Sequence, residues 1–295
     1  SAVCAAKAAC TRAVCRALAG AGMTMTPHSN WWVVTDLDGT LMDHHYDWSA
    51  AKDVIRCLQR HGIPVIPCTS KTAEEVLRFR ELVGLHDPFI VENGGAIYGE
   101  SSTGELWRQD LGPSWRQLRP QLADLERELG EPLQALDDLS DMDADRLLGL
   151  SGEALQMAQR RQCSVPFVPP MLPESRHRLQ VLAEMRQLGV VQGNRLGHLL
   201  GAGVSKGQAL QTLKQRQGVP DVKVLALGDS PNDLPLLDAS DCAVVVPGAA
   251  GPHPELKAGV AEGRYQLAPA PHGEGWSAAV LKWIPGLQDN NTLLS

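Results

Sequence analysis

The sequence predicts a doubly wound α/β fold, a parallel sheet covered by helices, with a second domain inserted into it. From Trp31 onward, short apolar runs alternate with amphipathic segments, the rhythm of parallel strands joined by helical crossovers. That rhythm breaks near residue 111 and resumes near residue 195. The strongest chemical motifs all stand at the carboxyl ends of apolar runs, where ligands of open α/β sheets bind. The division expected is therefore 30–110 for the first part of the core, 111–194 for the insert and 195–295 for the second part of the core. Residues 1–29 stand apart as an extension.

Trp31 to Thr35 reads as the first strand, and a helix follows over 48–61 with Val54, Ile55 and Leu58 on one face and Gly62 as its stop. Residues 63–68 (IPVIPC) form a second buried strand. Thr72 and Glu75 make a capping box for a helix that reaches Gly84. Residues 89–92 (FIVE) give a third strand, ending in Asn93-Gly94-Gly95. In the insert, Trp115, Leu118, Leu122, Leu125 and Leu129 form a helical stripe, with Pro120 as a kink or the true start. Residues 137–145 read as an acidic loop, followed by helices at about 143–160 and 174–188. Lys206 opens the next helix, 222–228 (VKVLALG) and 243–246 (AVVV) are strands, residues 247–275 read as irregular, and a short helix closes the fold near 276–284. The polar end reads as a mobile tail.

At 295 residues the chain holds one large core or two modest ones, and its 43% hydrophobic and 21% charged content is that of a globular protein. A net charge of -7 gives no electrostatic footprint for a nucleic-acid backbone. No run of 18 apolar residues occurs, so no membrane span is expected. The seven cysteines are scattered without a C-x-x-C pair, which points to a reduced cytoplasm rather than a zinc site. Lys7, Arg12 and Arg16 interrupt the Ala-rich start and exclude a secretory signal, leaving a transit peptide or an upstream extension with Met23 or Met25 as the working start.

The chemistry is concentrated in Asp36-Leu37-Asp38-Gly39-Thr40, directly after an apolar strand. Where a strand ends and turns, two carboxylates separated by one residue converge on a ligand. Gly39 permits the sharp turn and Thr40 offers a hydroxyl to the loop or to a phosphate. Asp36 is the expected nucleophile, forming an aspartyl-phosphate, and Asp38 the acid and base. Thr69 and Ser70 end the second strand at the same sheet edge, where hydroxyl and N–H groups bind phosphate oxygens. Lys206 neutralises the nucleophile and the transferring phosphoryl group. In Gly228-Asp229-Ser230-Pro231-Asn232-Asp233, the acids four apart face the same crevice, and Ser230 and Asn232 lie beside it. Oxygen donors without His or Cys suit Mg²⁺, held by Asp36, the Asp38 carbonyl and Asp229, with Asp233 as an orienter or occasional ligand.

These four motifs, in this order, resemble the haloacid dehalogenase superfamily of phosphohydrolases. The resemblance implies a Rossmann-like core with an inserted α/β cap of the C2B type. More narrowly, TDLDGTLMDHHYDW (35–48), CTSKT (68–72) and PFIVENGGAIY (88–98) look like mannosyl-3-phosphoglycerate phosphatases. That resemblance implies hydrolysis of mannosyl- or glucosyl-3-phosphoglycerate to a glycosylglycerate compatible solute, with a small phosphorylated sugar acid as partner. It also implies that Lys71, Asn93, Gly94 and Gly95 line the substrate side, joined by Arg195 and His198 of GNRLGH and by Arg161 and Ser164 of RRQCSVPF. Val165 stands where the family pattern has an acid. A sugar phosphatase of the sucrose-phosphate kind, or a sugar phosphomutase, is the alternative on the same fold.

Other signals weigh less. His44-His45 suits a solvated or substrate-adjacent loop better than a metal site. Asp141, Asp143 and Asp145 open like a calcium loop, but Arg146 and Gly152 occupy positions that need Gly and Glu. Gly201 to Gly207 lacks the Gly-Lys-Ser/Thr ending of a P-loop.

Overall fold

The computed structural model describes residues 30–287; the Ala-rich extension and the polar tail lie outside them. The core is a five-stranded parallel sheet. Its strands are β1 (Trp31–Thr35), β2 (Val65–Pro67), β9 (Lys223–Gly228), β10 (Cys242–Val245) and β11 (Gln266–Leu267), in the order β11-β10-β9-β1-β2. Strand β1 sits between β9 and β2, with Thr35 opposite both Leu227 and Pro67. Its side chains alternate between two apolar layers. Val33 joins Ile55, Leu58, Phe79 and Trp276 on one face, while Trp32 and Val34 join Leu210, Leu213 and Leu236 on the other. Both faces are covered, as a doubly wound sheet requires.

The first layer is built by α1 (Lys52–Arg60), α2 (Ala73–Val83) and the last helix, α10 (His272–Trp283). The second is built by α7 (Lys206–Arg216), α8 (Leu234–Asp238) and α9 (Pro254–Ala261). Helix α2 starts on the expected Thr72–Glu75 capping box and ends at Gly84 in the left-handed conformation.

The third expected strand, β3 (Phe89–Val91), leads a different sheet. It pairs antiparallel with β4 (Ala96–Glu100), which pairs with β5 (Leu106–Asp110). Strand β5 escapes the sequence reading because it alternates between exposed and half-buried positions and has no apolar run.

The insert is a cap with its own antiparallel sheet: β6 (Val165–Phe167), β7 (Leu188–Gln192) and β8 (Gly197–Gly201), in the order β6-β8-β7. Helices α3 (Trp115–Leu129) and α6 (Pro173–Met185) pack on it through Leu118, Leu122, Leu125, Leu129, Leu179 and Ala183. Pro120 lies inside α3 and does not mark its start, which is fixed by a Ser114–Gln117 capping box. The expected division at 194/195 falls inside the β7–β8 hairpin. Strand β8 is hydrogen-bonded to cap strands on both sides, so we place the end of the cap after Gly201.

Two further segments differ from expectation. The acidic stretch is largely helical: Ser140 caps α4 (Asp141–Leu148), putting Asp141 and Asp143 in the first turn, where the helix dipole favours anions. A separate helix, α5 (Gly152–Gln159), follows it. The Pro- and Gly-rich 247–275 region carries α9 and β11, and Pro254 occupies the first turn of α9, where its missing N–H costs nothing. No helix among the described residues is long and apolar enough to cross a membrane.

Candidate active site

Because β9, β1 and β2 are adjacent and parallel, the residues that follow them emerge at one edge. Asp36 follows β1 and continues its ladder, its N–H donating to Leu227 O over 3.0 Å. The chain then turns. Gly39 has φ +85°, and a Cβ there would stand 2.5 Å from Asp229 Oδ2, so both the backbone angle and the close approach require glycine. Thr40, fully buried, donates its hydroxyl to Asp229 Oδ1 over 2.9 Å.

Lys206 opens α7 beneath these loops with its side chain wholly buried. Its Nζ donates to Asp36 Oδ1 over 2.8 Å and to Asp233 Oδ1 over 2.5 Å. Asp233 Oδ2 accepts the backbone N–H groups of Asp229 (2.9 Å) and Ser230 (3.1 Å). Both Asp233 oxygens are therefore engaged. Asp229 accepts from Thr40 on one oxygen and, on the other, from Asn194 Nδ2 of the cap over 2.8 Å.

Carboxylate oxygens of Asp36, Asp229 and Asp233 lie within 4.8 Å of one another. Three such groups around a single ammonium leave the site rich in negative charge. Burial raises the Asp36 carboxyl well above its usual range, opposed by Lys206 and reinforced by Asp233 and Asp229. Burial, with the Asp233 charge beside it, raises Asp229 to about 7. An all-oxygen set with surplus negative charge is what a hard divalent cation neutralises. Burial lowers the Lys206 ammonium, but the two carboxylates outweigh it and keep the side chain charged.

Above the carboxylates lies a cleft between core and cap. Asp36, Asp38, Ser70, Lys71, Ser230 and Asn232 line its core side, and Arg161, Asn194, Arg195 and His198 its cap side. Leu136, Leu148, Leu150 and Leu196 give it an apolar wall. Asp38 Oδ2 pairs with Lys71 Nζ at 2.8 Å, while Asp38 Oδ1 is buried without a protein partner. Lys71 also meets Glu75 at 3.4 Å and lies over the Tyr46 ring. Burial pushes the Glu75 carboxyl up, but Lys71, Arg161 and the Thr72 donors outweigh it and hold it low.

Not every expected residue reaches the cleft. Thr69 is buried, its hydroxyl accepting from the Lys71 N–H. Asn93 lies below, with its Oδ1 accepting from Asn232 Nδ2 over 2.8 Å. Gly94 and Gly95 are packing positions. A Cβ at Gly94 would meet Ser205 O at 2.2 Å, and one at Gly95 would meet Cys163 Cβ at 2.6 Å. Ser164 is fully buried and donates to Glu92 Oε2 over 2.6 Å. Val165, at the position where the family pattern has an acid, packs in the cap core with Leu118 and Leu122 and does not line the cleft.

Several residues of the site escaped the sequence reading. Glu92, read as a strand end, is buried with φ +49° and accepts from Gln162 N, Cys163 N and Ser164 Oγ, tying the returning cap segment to the core. Asp43 and Tyr46 line the cleft from the loop after the Asp36 motif, beside His44, which the sequence places in a solvated or substrate-adjacent loop. Nothing in the local sequence around Arg195 marks the Asn194 amide as the neighbour of the Asp229 carboxylate. The cap is held down by Arg160 against Glu74 (2.7 Å), Thr72 Oγ1 donating to Met157 O (3.1 Å), and Arg161 Nη1 donating to Ser70 O (2.5 Å).

With this geometry established, comparisons with known proteins converge. A family model of haloacid dehalogenase-like hydrolases matches residues 33–111 and 182–257. A glucosyl-3-phosphoglycerate/mannosyl-3-phosphoglycerate phosphatase of Methanococcoides burtonii is 32% identical over 228 residues, covering 72% of this chain and 84% of its own. A protein of the same description from Persephonella marina is 30% identical over 229 residues, covering 73% and 84%. Among solved structures, the sucrose-phosphatase of Synechocystis superposes with a TM-score of 0.60 at 19% identity, covering 86% of this chain and 97% of that one. That last likeness is one of fold.

Proposed function

The chain belongs to the haloacid dehalogenase-like hydrolases, and from that premise we propose that it is a Mg²⁺-dependent phosphatase of glucosyl- or mannosyl-3-phosphoglycerate, releasing phosphate and the glycosylglycerate. The observation that carries the reading is Asp36 at the floor of the cleft, with Oδ1 held by Lys206. That bond leaves the other oxygen to attack phosphorus.

Attack forms an acyl phosphate on Asp36 as the bond to the leaving oxygen breaks. Asp38, whose Oδ1 has no protein partner, gives that oxygen a proton and later takes one from the water that releases phosphate. Asp36, Asp229 and the Asp38 carbonyl would hold Mg²⁺, with Asp233 fixing the Asp229 loop and Lys206. Bound there, the cation offsets the repulsion between an anionic nucleophile and an anionic ester. Lys71, Arg161 and Arg195 supply positive charge for the glycerate carboxylate, while the leucine wall suits the less polar face of a sugar ring. The cap excludes bulk water.

The test is phosphate release from glucosyl- and mannosyl-3-phosphoglycerate, sucrose phosphate and hexose phosphates. The expected result is a kcat/KM at least about tenfold higher for a glycosyl-3-phosphoglycerate, a difference of about 1.4 kcal/mol in transition-state binding. Equal or better turnover of sucrose phosphate would overturn the substrate assignment. Interconversion of phosphate positions without free phosphate would identify a mutase.

A further inference from the structure

Helix α10 begins at His272, beyond residue 257, where the family match ends. One face of it lies along the loop that carries Asp36 and Asp38. His272 Nδ1 lies 2.9 Å from Gly39 O. A carbonyl can only accept, so Nδ1 carries the proton and the tautomer is fixed with Nε2 away from the loop. A Cβ at Gly273 would stand 3.1 Å from Leu41 O, so the helix backbone packs directly on the turn. Trp276, one helical turn on and fully buried, donates Nε1 to Thr35 Oγ1 over 2.9 Å, and Thr35 donates to Asp36 O over 2.6 Å. Ser277 donates to Ala50 O over 2.8 Å.

We propose that α10 braces the nucleophile loop, with His272 and Trp276 as positioning residues that hold the two ends of the Asp36–Gly39 turn in register with the phosphoryl group. The inference rests on the phosphatase reading above. His272 and Trp276 are four apart and so share a face, and their contacts fall on either side of the two aspartates. Without them the turn keeps the ladder bond of the Asp36 N–H to Leu227 O on one flank and Thr40 on Asp229 on the other, and the Thr35 hydroxyl and Gly39 carbonyl lose the partners that α10 supplies. His272 has φ +49°, a left-handed conformation that few non-glycine residues adopt, and its contact with Gly39 O and that of Gly273 with the Leu41 backbone hold it there. Its ring also meets His44, a cleft residue, edge to face at 5.1 Å. The brace therefore extends from the sheet edge to the substrate wall.

The test compares full-length wild type, His272→Gly and His272→Asn in single- and multiple-turnover phosphate release. Glycine relaxes the left-handed backbone and removes the donor; asparagine tolerates that backbone and restores an N–H for Gly39. The expected result for His272→Gly is a kcat lower by about tenfold to a hundredfold, the scale of a misplaced reacting group, with KM within about twofold. His272→Asn is expected to recover most of the loss. Independently of any variant's folding, ¹⁵N-histidine spectra of the wild type should show His272 protonated at Nδ1. An active wild type with His272→Gly within twofold of it, or a bare Nδ1 in the wild type, would overturn the brace alone. A wild type that releases no phosphate from any of the esters overturns the parent reading instead.

Discussion

Lys206 Nζ and Asp36 Oδ1 stand 2.8 Å apart, although 170 residues separate them in the chain. The cap occupies most of that interval, so the nucleophile and its counter-charge are joined only when the core closes around the insertion.

Asp36→Asn removes the attacking oxygen but keeps an acceptor for Lys206. Turnover should fall by at least about a thousandfold, as for nucleophile loss elsewhere, with Tm within a few degrees of wild type. Phosphate-release kinetics beside a thermal melt check both halves.

Lys206→Met conserves length and removes the charge, leaving Asp36 and Asp233 buried without their shared cation. Breaking a buried pair from one side costs about 3–5 kcal/mol. Denaturant unfolding should show that loss, and a double variant with Asp233→Asn should recover part of it.

Chelation should silence the enzyme and added Mg²⁺ should restore it. Ligand that binds only the folded state stabilises it by about 2.7 kcal/mol at a hundred times Kd. The melt of the wild type should therefore rise with Mg²⁺, and in Asp229→Asn most of that rise should vanish. Full activity after exhaustive chelation would remove the metal from the mechanism.

Glu92→Gln replaces one acceptor oxygen with an amide facing three donors of the cap return. An unmet buried donor costs about 1–3 kcal/mol, so stability should fall by that amount and proteolysis near 160–164 should quicken. Arg160→Ala breaks a pair whose partners are 61% and 43% exposed, and should cost less than about 1 kcal/mol.

His198 is buried, and burial, with Arg161 and Lys206 nearby, lowers it to about 3 from a usual 6.5. Its neutral form favours folding above pH 6.5. Between 6.5 and 3 the unfolded chain binds the proton and the folded chain does not, so this contribution is lost as pH falls, by up to about 1.4 kcal/mol per unit. Stability against pH, measured for wild type and His198→Gln, should show the steeper acid slope in the wild type.

The local code was legible where chemistry and backbone geometry coincide. An apolar run ending in Asp-x-Asp-Gly-Thr, a second ending in Thr-Ser, and a third ending in Gly-Asp-Ser each announce a strand and the reactive loop at its carboxyl end. Parallel order then places Asp36, the Ser70 loop and Asp229 at one edge. Local pattern also placed Thr72 as a cap and Lys206 at a helix start. Tertiary structure decided what depends on contacts between distant segments: β8 in the cap sheet, Asn194 on Asp229, Glu92 beneath the cap return, and His272 on Gly39 O. It also removed Gly94, Gly95 and Ser164 from the cleft. The physical reason is that periodicity reports which face of an element is apolar, whereas a buried hydrogen bond is chosen by whichever polar group the packed chain brings within reach.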